Sequence, residues 1–109
     1  MQINTPEEFF EKILPERFDS GKAKGIDATI QVKITGANAG EWIVKIHNER
    51  LAVEKGTHPS PTITVCMSDT DYLSMLNGQL NVEKAFFSGK IKFEGDMMLA
   101  LRLRNIGIL

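Results

Sequence analysis

The stretch Ser88-Gly-Lys-Ile-Lys-Phe-Glu-Gly-Asp-Met-Met-Leu-Ala-Leu-Arg-Leu-Arg-Asn-Ile106 decides how this chain is read. Apolar Ile91 and Phe93 alternate with polar Lys90, Lys92 and Glu94, the period-two pattern of a strand. Gly95 breaks the run, and Asp96 is placed to cap a following helix. At about 100° per residue that helix is apolar on two sides. Leu99, Leu103 and Ile106 form one stripe; Met97, Met98 and Leu101 form another. Arg102 falls in one seam between them, Arg104 and Ala100 in the other. One stripe suffices for docking on a sheet. The other requires an apolar partner of its own: more core, another subunit or a greasy ligand.

Upstream of this stretch, Asn81 caps a short helix over Val82 to Phe87 that contains the pair Phe86-Phe87. A longer helix starts at the Ser68 cap with Asp71 in the capping-box position, carries Tyr72, Leu73, Met75 and Leu76, and stops at Asn77-Gly78. Thr62 to Met67 reads as a strand, set off by the loop Gly56-Thr-His-Pro-Ser-Pro61. Before it, alternation over Ile26 to Ile34, then Trp42 to Ile46, then Leu51 to Glu54 predicts three successive antiparallel strands with one largely polar face. Thr5-Pro6-Glu7-Glu8 opens the first helix: Thr5 is the cap, Pro6 suits the first position and Glu8 completes a capping box. Phe9, Phe10, Ile13 and Leu14 cover its apolar face, and Pro15 ends it or leaves a short continuation through Phe18. The order α-β-β-β-β-α-α-β-α predicts an α+β domain over residues 1–109, with one mixed or antiparallel sheet and helices on a single face.

Composition narrows the function classes. Thirteen basic against fourteen acidic residues leave a net charge of −1, with no basic excess to hold a phosphate backbone, so nucleic acid is not an expected partner. The single Cys66 forms no internal disulfide and fits a reducing cytoplasm. Met1 to Thr5 lacks the basic start and apolar run of a signal peptide, and no apolar run approaches the roughly 20 residues that span a bilayer. Catalytic candidates have plain readings. His47 and His58 lie on a strand's solvent face and in a loop, without zinc spacing. Asp69 and Asp71 suit the positive end of a helix. Cys66 has no histidine placed to activate it, and Ser88-Gly-Lys90 lacks the upstream glycine of a phosphate loop. Asp96 is accounted for as a cap. The expectation is therefore no enzyme, no metal and no cofactor.

What remains is an apolar excess between residues 67 and 101, which holds Met67, Met75, Met97, Met98, Phe86, Phe87, Phe93, Leu73, Leu76 and Leu80. It reads either as dense core or as an adaptable greasy surface, because the methionine thioether repacks around varied shapes.

The segment Ala85-Phe-Phe-Ser-Gly-Lys-Ile-Lys-Phe-Glu-Gly-Asp-Met-Met-Leu-Ala-Leu-Arg-Leu103 resembles the signature of the sterol carrier protein 2 family. The strand from Pro61, the helix Ser68-Asp-Thr-Asp-Tyr72, Leu76-Asn-Gly78 and the run Leu14-Pro-Glu-Arg-Phe18 are also similar. The resemblance implies a five-stranded sheet covered by helices on one face, enclosing a hydrophobic tunnel for fatty acids, acyl-CoAs, phospholipids or sterols, with no active site; an acyl-chain or isoprenoid lipid is the expected cargo here. Carried over by position, the tunnel lies between the sheet and the helices at 69–76, 82–87 and 96–106. Leu73, Met75, Leu76, Leu80, Phe86, Phe87, Phe93, Met97, Met98 and Leu101 line it. The implied partner is an apolar lipid; free apolar side chains near the tunnel mouth are expected to seek a transient membrane surface or a second copy of the chain. Eukaryotic relatives continue with a further apolar segment and a peroxisomal tripeptide. Ending at Leu109, the chain fits a short prokaryotic-type form and is expected to leave Ile106, Ile108 and Leu109 uncovered at the tunnel mouth. The competing expectation is an interaction or homodimerisation module that uses the apolar face of the last helix.

Overall fold

The strand pairing follows from where the alternating residues find like neighbours. In the computed structural model, which describes residues 2–106, Ile30, Val32 and Ile34 of β1 (Ala28–Thr35) share one buried face. They lie between Val44 and Trp42 of β2 (Gly40–His47) and Ile63, Val65 and Met67 of β4 (Ile63–Ser68). With β3 (Arg50–Lys55) and β5 (Ile91–Gly95) the sheet has the order β3-β2-β1-β4-β5. It is mixed: β1 runs parallel to β4 and every other pair is antiparallel. A parallel pair cannot be joined by a tight turn. Accordingly β2, β3 and the loop at 56–62 lie between β1 and β4 in the chain. The β2–β3 turn places Asn48 and Glu49 at φ of 51° and 63°, the left-handed pair that matches strand twist in a two-residue hairpin.

Four helices cover the face carrying Ile30 and Val32. The first, α1, is continuous through Pro6–Glu8, a π-helical segment Phe9–Ile13, and Leu14–Arg17. Thr5 Oγ1 accepts the Glu8 N–H at 3.1 Å, as expected of the cap, whereas the Glu8 carboxylate accepts from the Asn4 N–H at 3.5 Å and does not close the box on Thr5. Pro15 does not end the helix. The wider turn, in which the Leu14 N–H reaches the Phe9 carbonyl, loosens the backbone just before the ring that lacks a donor. The helix finishes at Phe18, whose N–H bonds the Leu14 carbonyl at 2.9 Å. A single 3-10 turn, Ser20–Ala23, then leads to β1, which starts two residues later than the alternation from Ile26 predicts.

The other helices are α2 (Asp69–Leu76), α3 (Val82–Phe87) and α4 (Met97–Leu103). Their caps are those the sequence predicts. Ser68 accepts from the Asp71 N–H at 3.2 Å, Asn81 from that of Lys84 at 2.7 Å, and Asp96 from those of Met98 and Leu99 at 3.0 and 3.2 Å. Gly95 sets the start of α4. Its φ is +115°, and an added Cβ would press on the Thr62 carbonyl and sit 3.0 Å from Ile63 Cα. Bare backbone here lets the Asp96 N–H bond Thr62 O at 3.1 Å, so α4 begins tight against β4.

The core is densest under α1. The Phe10 ring stacks on Tyr72 at 5.7 Å and on Trp42 at 5.2 Å, and Phe9 meets Phe10 and Tyr72 edge-on. The Asn77 amide clasps the chain ahead of this helix, accepting from the Ile3 N–H at 2.8 Å and donating to the Ile3 carbonyl at 2.9 Å. Lys55 lies 5.1 Å from the Trp42 ring centre and pairs with Glu7 at 2.6 Å, closing the margin. At the start of α2, buried Asp69 accepts the N–H groups of Asn38 (2.9 Å) and Thr70 (2.8 Å), tying down the β1–β2 loop. Gly36 makes room for it: at φ +107°, a Cβ there would collide with the Asp69 carboxylate.

The outer face of the sheet is less exposed than alternation predicts, because Gln31 and Ile43 are buried on it. The loop after β3 folds over them. Gln31 Nε2 donates to the Gly56 and Trp42 carbonyls at 3.0 and 3.3 Å, and its Oε1 accepts the His58 N–H at 2.7 Å.

Candidate functional site

β5 is an edge strand, and Phe93, on its helix-facing side, is partly covered. Over it stand α3 and α4, two helices too short to cover all of the apolar surface they bring. The groove between them takes Val82, Phe86 and Phe87 from α3 and Met97, Ala100 and Leu101 from α4, with Phe93 between. Its volume is about 200 Å³. The Phe86 ring lies 6.0 Å from Phe93 and 5.8 Å from Phe87. Arg104, just past α4, donates to the Glu83 carboxylate of α3 and bridges the two helices.

The two stripes of the last helix part as their spacing predicts. Leu103 is fully buried, with Leu99 and Ile106 nearly so, whereas Met98 and Leu101 are 73% and 70% exposed. Phe87 is 85% exposed. Three large apolar side chains facing water this openly on neighbouring short helices make a patch of the kind that marks a binding surface. Among the described residues the space is a groove open to solvent and not an enclosed tunnel. Ile106 is not uncovered: it completes the buried stripe. Ile108 and Leu109 lie outside the described residues.

Of the ten residues expected to line a cavity, the groove brings together Phe86, Phe87, Phe93, Met97 and Leu101. Met75 is buried in the main core, and Leu73, Leu76 and Leu80 pack against that core at intermediate exposure. Met98 is exposed beyond the groove lining. Val82, Ala100, Glu83 and Arg104 were not expected there. Val82 had a local signal, standing four residues before Phe86 on one helical face. The Glu83–Arg104 pair had none, because its partners are 21 residues apart.

His47, His58 and Asp69 each have a structural partner. His47 Nδ1 is 3.1 Å from Asp27 on the surface, and His58 Nδ1 accepts the Ser60 N–H at 3.0 Å. Donation by the Asn38 N–H, supported by that of Thr70, holds the Asp69 carboxyl below its ordinary range. Burial alone pushes the Tyr72 hydroxyl well above its ordinary value. Among the described residues, no three His, Cys, Asp or Glu side chains group as a metal ion requires, and no helix is long and apolar enough to cross a membrane.

Comparison with known proteins places this geometry. The model of the SCP-2 sterol transfer family matches residues 9–107. Sterol carrier protein 2 of Homo sapiens is 34% identical over 71 residues, which are 65% of this chain and 13% of that protein. Hydroxysteroid dehydrogenase-like protein 2 of Xenopus laevis is 33% identical over 97 residues, 87% of this chain and 23% of that one. The chain thus spans a small part of these curated relatives. Among solved structures, palmitated SCP2L2 from Aedes aegypti superposes with a TM-score of 0.74 at 28% identity, with 94% of each chain covered. The sec-alkylsulfatase Pisa1 from Pseudomonas sp. shares the fold, with a TM-score of 0.82 at 23% identity over 94% of this chain and 16% of that one.

Proposed function

Because the chain belongs to the SCP-2 sterol transfer family, we propose that it binds the apolar chain of a lipid in the groove between α3 and α4 and carries or presents that lipid without catalysing a reaction. One observation carries the reading: Phe86, Phe87, Met97 and Leu101 face each other across a groove and stay exposed, while Phe9, Phe10, Ile13 and Leu14 of α1 on the same sheet face are buried. The palmitated Aedes protein, similar along nearly its whole length, supports an acyl chain as occupant. Acyl-CoA, phospholipid, isoprenoid and sterol-like lipids present comparable apolar tails. The single thiol of Cys66 suits a reducing cytoplasm as the place of action.

The groove is smaller than the roughly 300–1,000 Å³ of a pocket that engulfs a drug-sized ligand, so a long chain requires the walls to part. The wall composition allows this. Met97 repacks easily, and the Glu83–Arg104 bridge is half exposed and contributes at most about 1 kcal/mol. Burial of the chain supplies about 0.8 kcal/mol per methylene, and lost translational and chain freedom removes much of that, leaving affinity at roughly micromolar.

Solvent extraction and native mass spectrometry of the purified protein test this. Co-purified lipid is the expected result. A fluorescent fatty acid should bind the wild type and bind Leu101→Trp at least tenfold more weakly, with little change in melting temperature. A protein that carries no lipid and binds none on titration would overturn the proposal. Met98 favours a second reading, since it is 73% exposed outside the groove lining: this face docks a second copy or a membrane. Sedimentation at several concentrations, with and without vesicles, separates the two, and a lipid-free dimer would favour the interaction module.

A further inference from the structure

We propose that the lipid held by the groove has an anionic head, and that this head lies over Cys66 between Lys33 and Lys92, on the outer side of β5. One long-chain carboxylate then occupies two cavities that meet at Phe86 and Phe93. The inference rests on the groove's being a lipid site and adds where the other end of the lipid goes.

The second cavity measures about 520 Å³, and Phe86 and Phe93 line both it and the groove. Its remaining wall is mixed: Ile91 and Cys66 are apolar, while Lys33, Thr64, Lys92 and Glu94 bring polar and charged groups. The closed groove is small for a long chain, and the adjoining space adds volume whose apolar floor is flanked by two lysines.

The sheet register makes the charged wall a built arrangement. Cys66 of β4 is paired with Lys33 of β1 on one side and with Lys92 of β5 on the other, so the three side chains project from one face in a row. Neighbouring strands lie about 4.8 Å apart, which sets the two lysine Cα atoms roughly 10 Å apart with the small thiol between them. Each ammonium rides on a flexible four-carbon stem, and an anion above Cys66 is within reach of both. Neither lysine is in an ion pair among the described residues. The nearby carboxylates are Glu94, paired with Thr64, and Glu41, the cross-strand neighbour of Lys33. Within the lining, two ammonium groups stand against one carboxylate. A head group here keeps its contact with water and meets opposite charge, whereas in the groove it would be desolvated among phenyl rings.

The experiment compares hexadecanoate with hexadecanol, which have the same chain and differ in the head. Both are titrated into the wild type, Lys33→Gln, Lys92→Gln, the double variant and Leu101→Trp, with thermal melts as fold control. The wild type should prefer hexadecanoate. Each lysine variant should weaken hexadecanoate about threefold and the double variant about tenfold, as expected for solvent-exposed charge pairs. Hexadecanol binding should not change in the lysine variants, and Leu101→Trp should weaken both probes. Equal binding of the two probes, untouched by the lysine changes, would overturn the head-group site and leave the groove reading standing. Failure of the wild type to bind either probe would overturn both.

Discussion

α1 and α4 lie over the same face of one sheet, and each brings a broad apolar arc to it. The arc of α1, with Phe9, Phe10, Ile13 and Leu14, is wholly buried. That of α4 is split, with Leu99 and Leu103 inside and Met98 and Leu101 in water. Apolar content does not explain the difference. α1 finds large flat partners, Tyr72 from α2 and Trp42 from β2, in stacking geometry. The outer stripe of α4 faces α3, whose own Phe87 touches Phe86 edge-on and is otherwise open to water. One half of the molecule spends its aromatic residues on stability, and the other keeps them available. The fold can hold an open apolar site because its stability is generated at the far end of the sheet.

The comparison is tested most severely at Phe10. Phe10→Ala removes a ring stacked on two others and should destabilise the fold by about 3–5 kcal/mol, lowering Tm by about 12 °C or more. Lipid binding per folded molecule should be unchanged at low temperature, as urea unfolding and titration will show. Loss of binding in protein that is still folded would mean that the two halves are coupled.

Next in size is the contrast within α4. Leu103→Ala should destabilise by about 2–5 kcal/mol and leave the groove residues in place. Leu101→Trp should shift stability by no more than about 0.5 kcal/mol while blocking uptake. Equal effects of both changes on melting and on binding would remove the two-face division.

Acid should weaken the sealed half. The Asn38 and Thr70 N–H groups stabilise the Asp69 carboxylate in the folded protein, so its folded pKa lies below its unfolded one. That contribution is fully present above the unfolded value of about 3.9 and is lost as pH falls through the lower folded value. Tm of the wild type should therefore drop below about pH 4. Asp69→Asn should melt lower at neutral pH and show a flatter decline in acid, and parallel Tm–pH curves would contradict the role given to the β1–β2 loop tie. The smallest effect is expected at Phe87. Phe87→Ser should move stability by no more than about 0.5 kcal/mol while reducing binding of an apolar surface dye.

Local chemistry made much of this readable from sequence. Three side-chain caps, at Ser68, Asn81 and Asp96, and the division of the last helix into two stripes depend on residues within a turn of one another, and each appears where spacing places it. Long-range pairing does not announce itself in the same way. That β1 lies parallel to β4 depends on two strands separated by a hairpin and a loop. That Gln31 is buried depends on a loop 25 residues later folding back to meet its amide. Leu73, Leu76 and Met75 are apolar at helical spacing, as groove residues would be, but α2 turns them toward the main core because Tyr72 beside them is already committed to Phe10. Of the two readings of Pro15, the short continuation through Phe18 holds, because the π-helical turn that tolerates the ring is kept in place by tertiary burial of Phe9, Phe10 and Ile13.

The clasp between Ile3 and Asn77 joins residues 74 positions apart, and its consequence lies in the order in which the molecule can assemble. α1, which precedes every strand of the sheet, cannot be fully housed until α2 has been made. Phe9 and Phe10 lack part of their setting while β3 and β4 are synthesised: Trp42 of β2 is already made, but the Tyr72 ring and the Asn77 amide that holds Ile3 come only with α2 and the residue after it. Until α2 emerges to retrieve it, α1 is therefore a greasy amphipathic segment in reach of any chaperone or bilayer nearby.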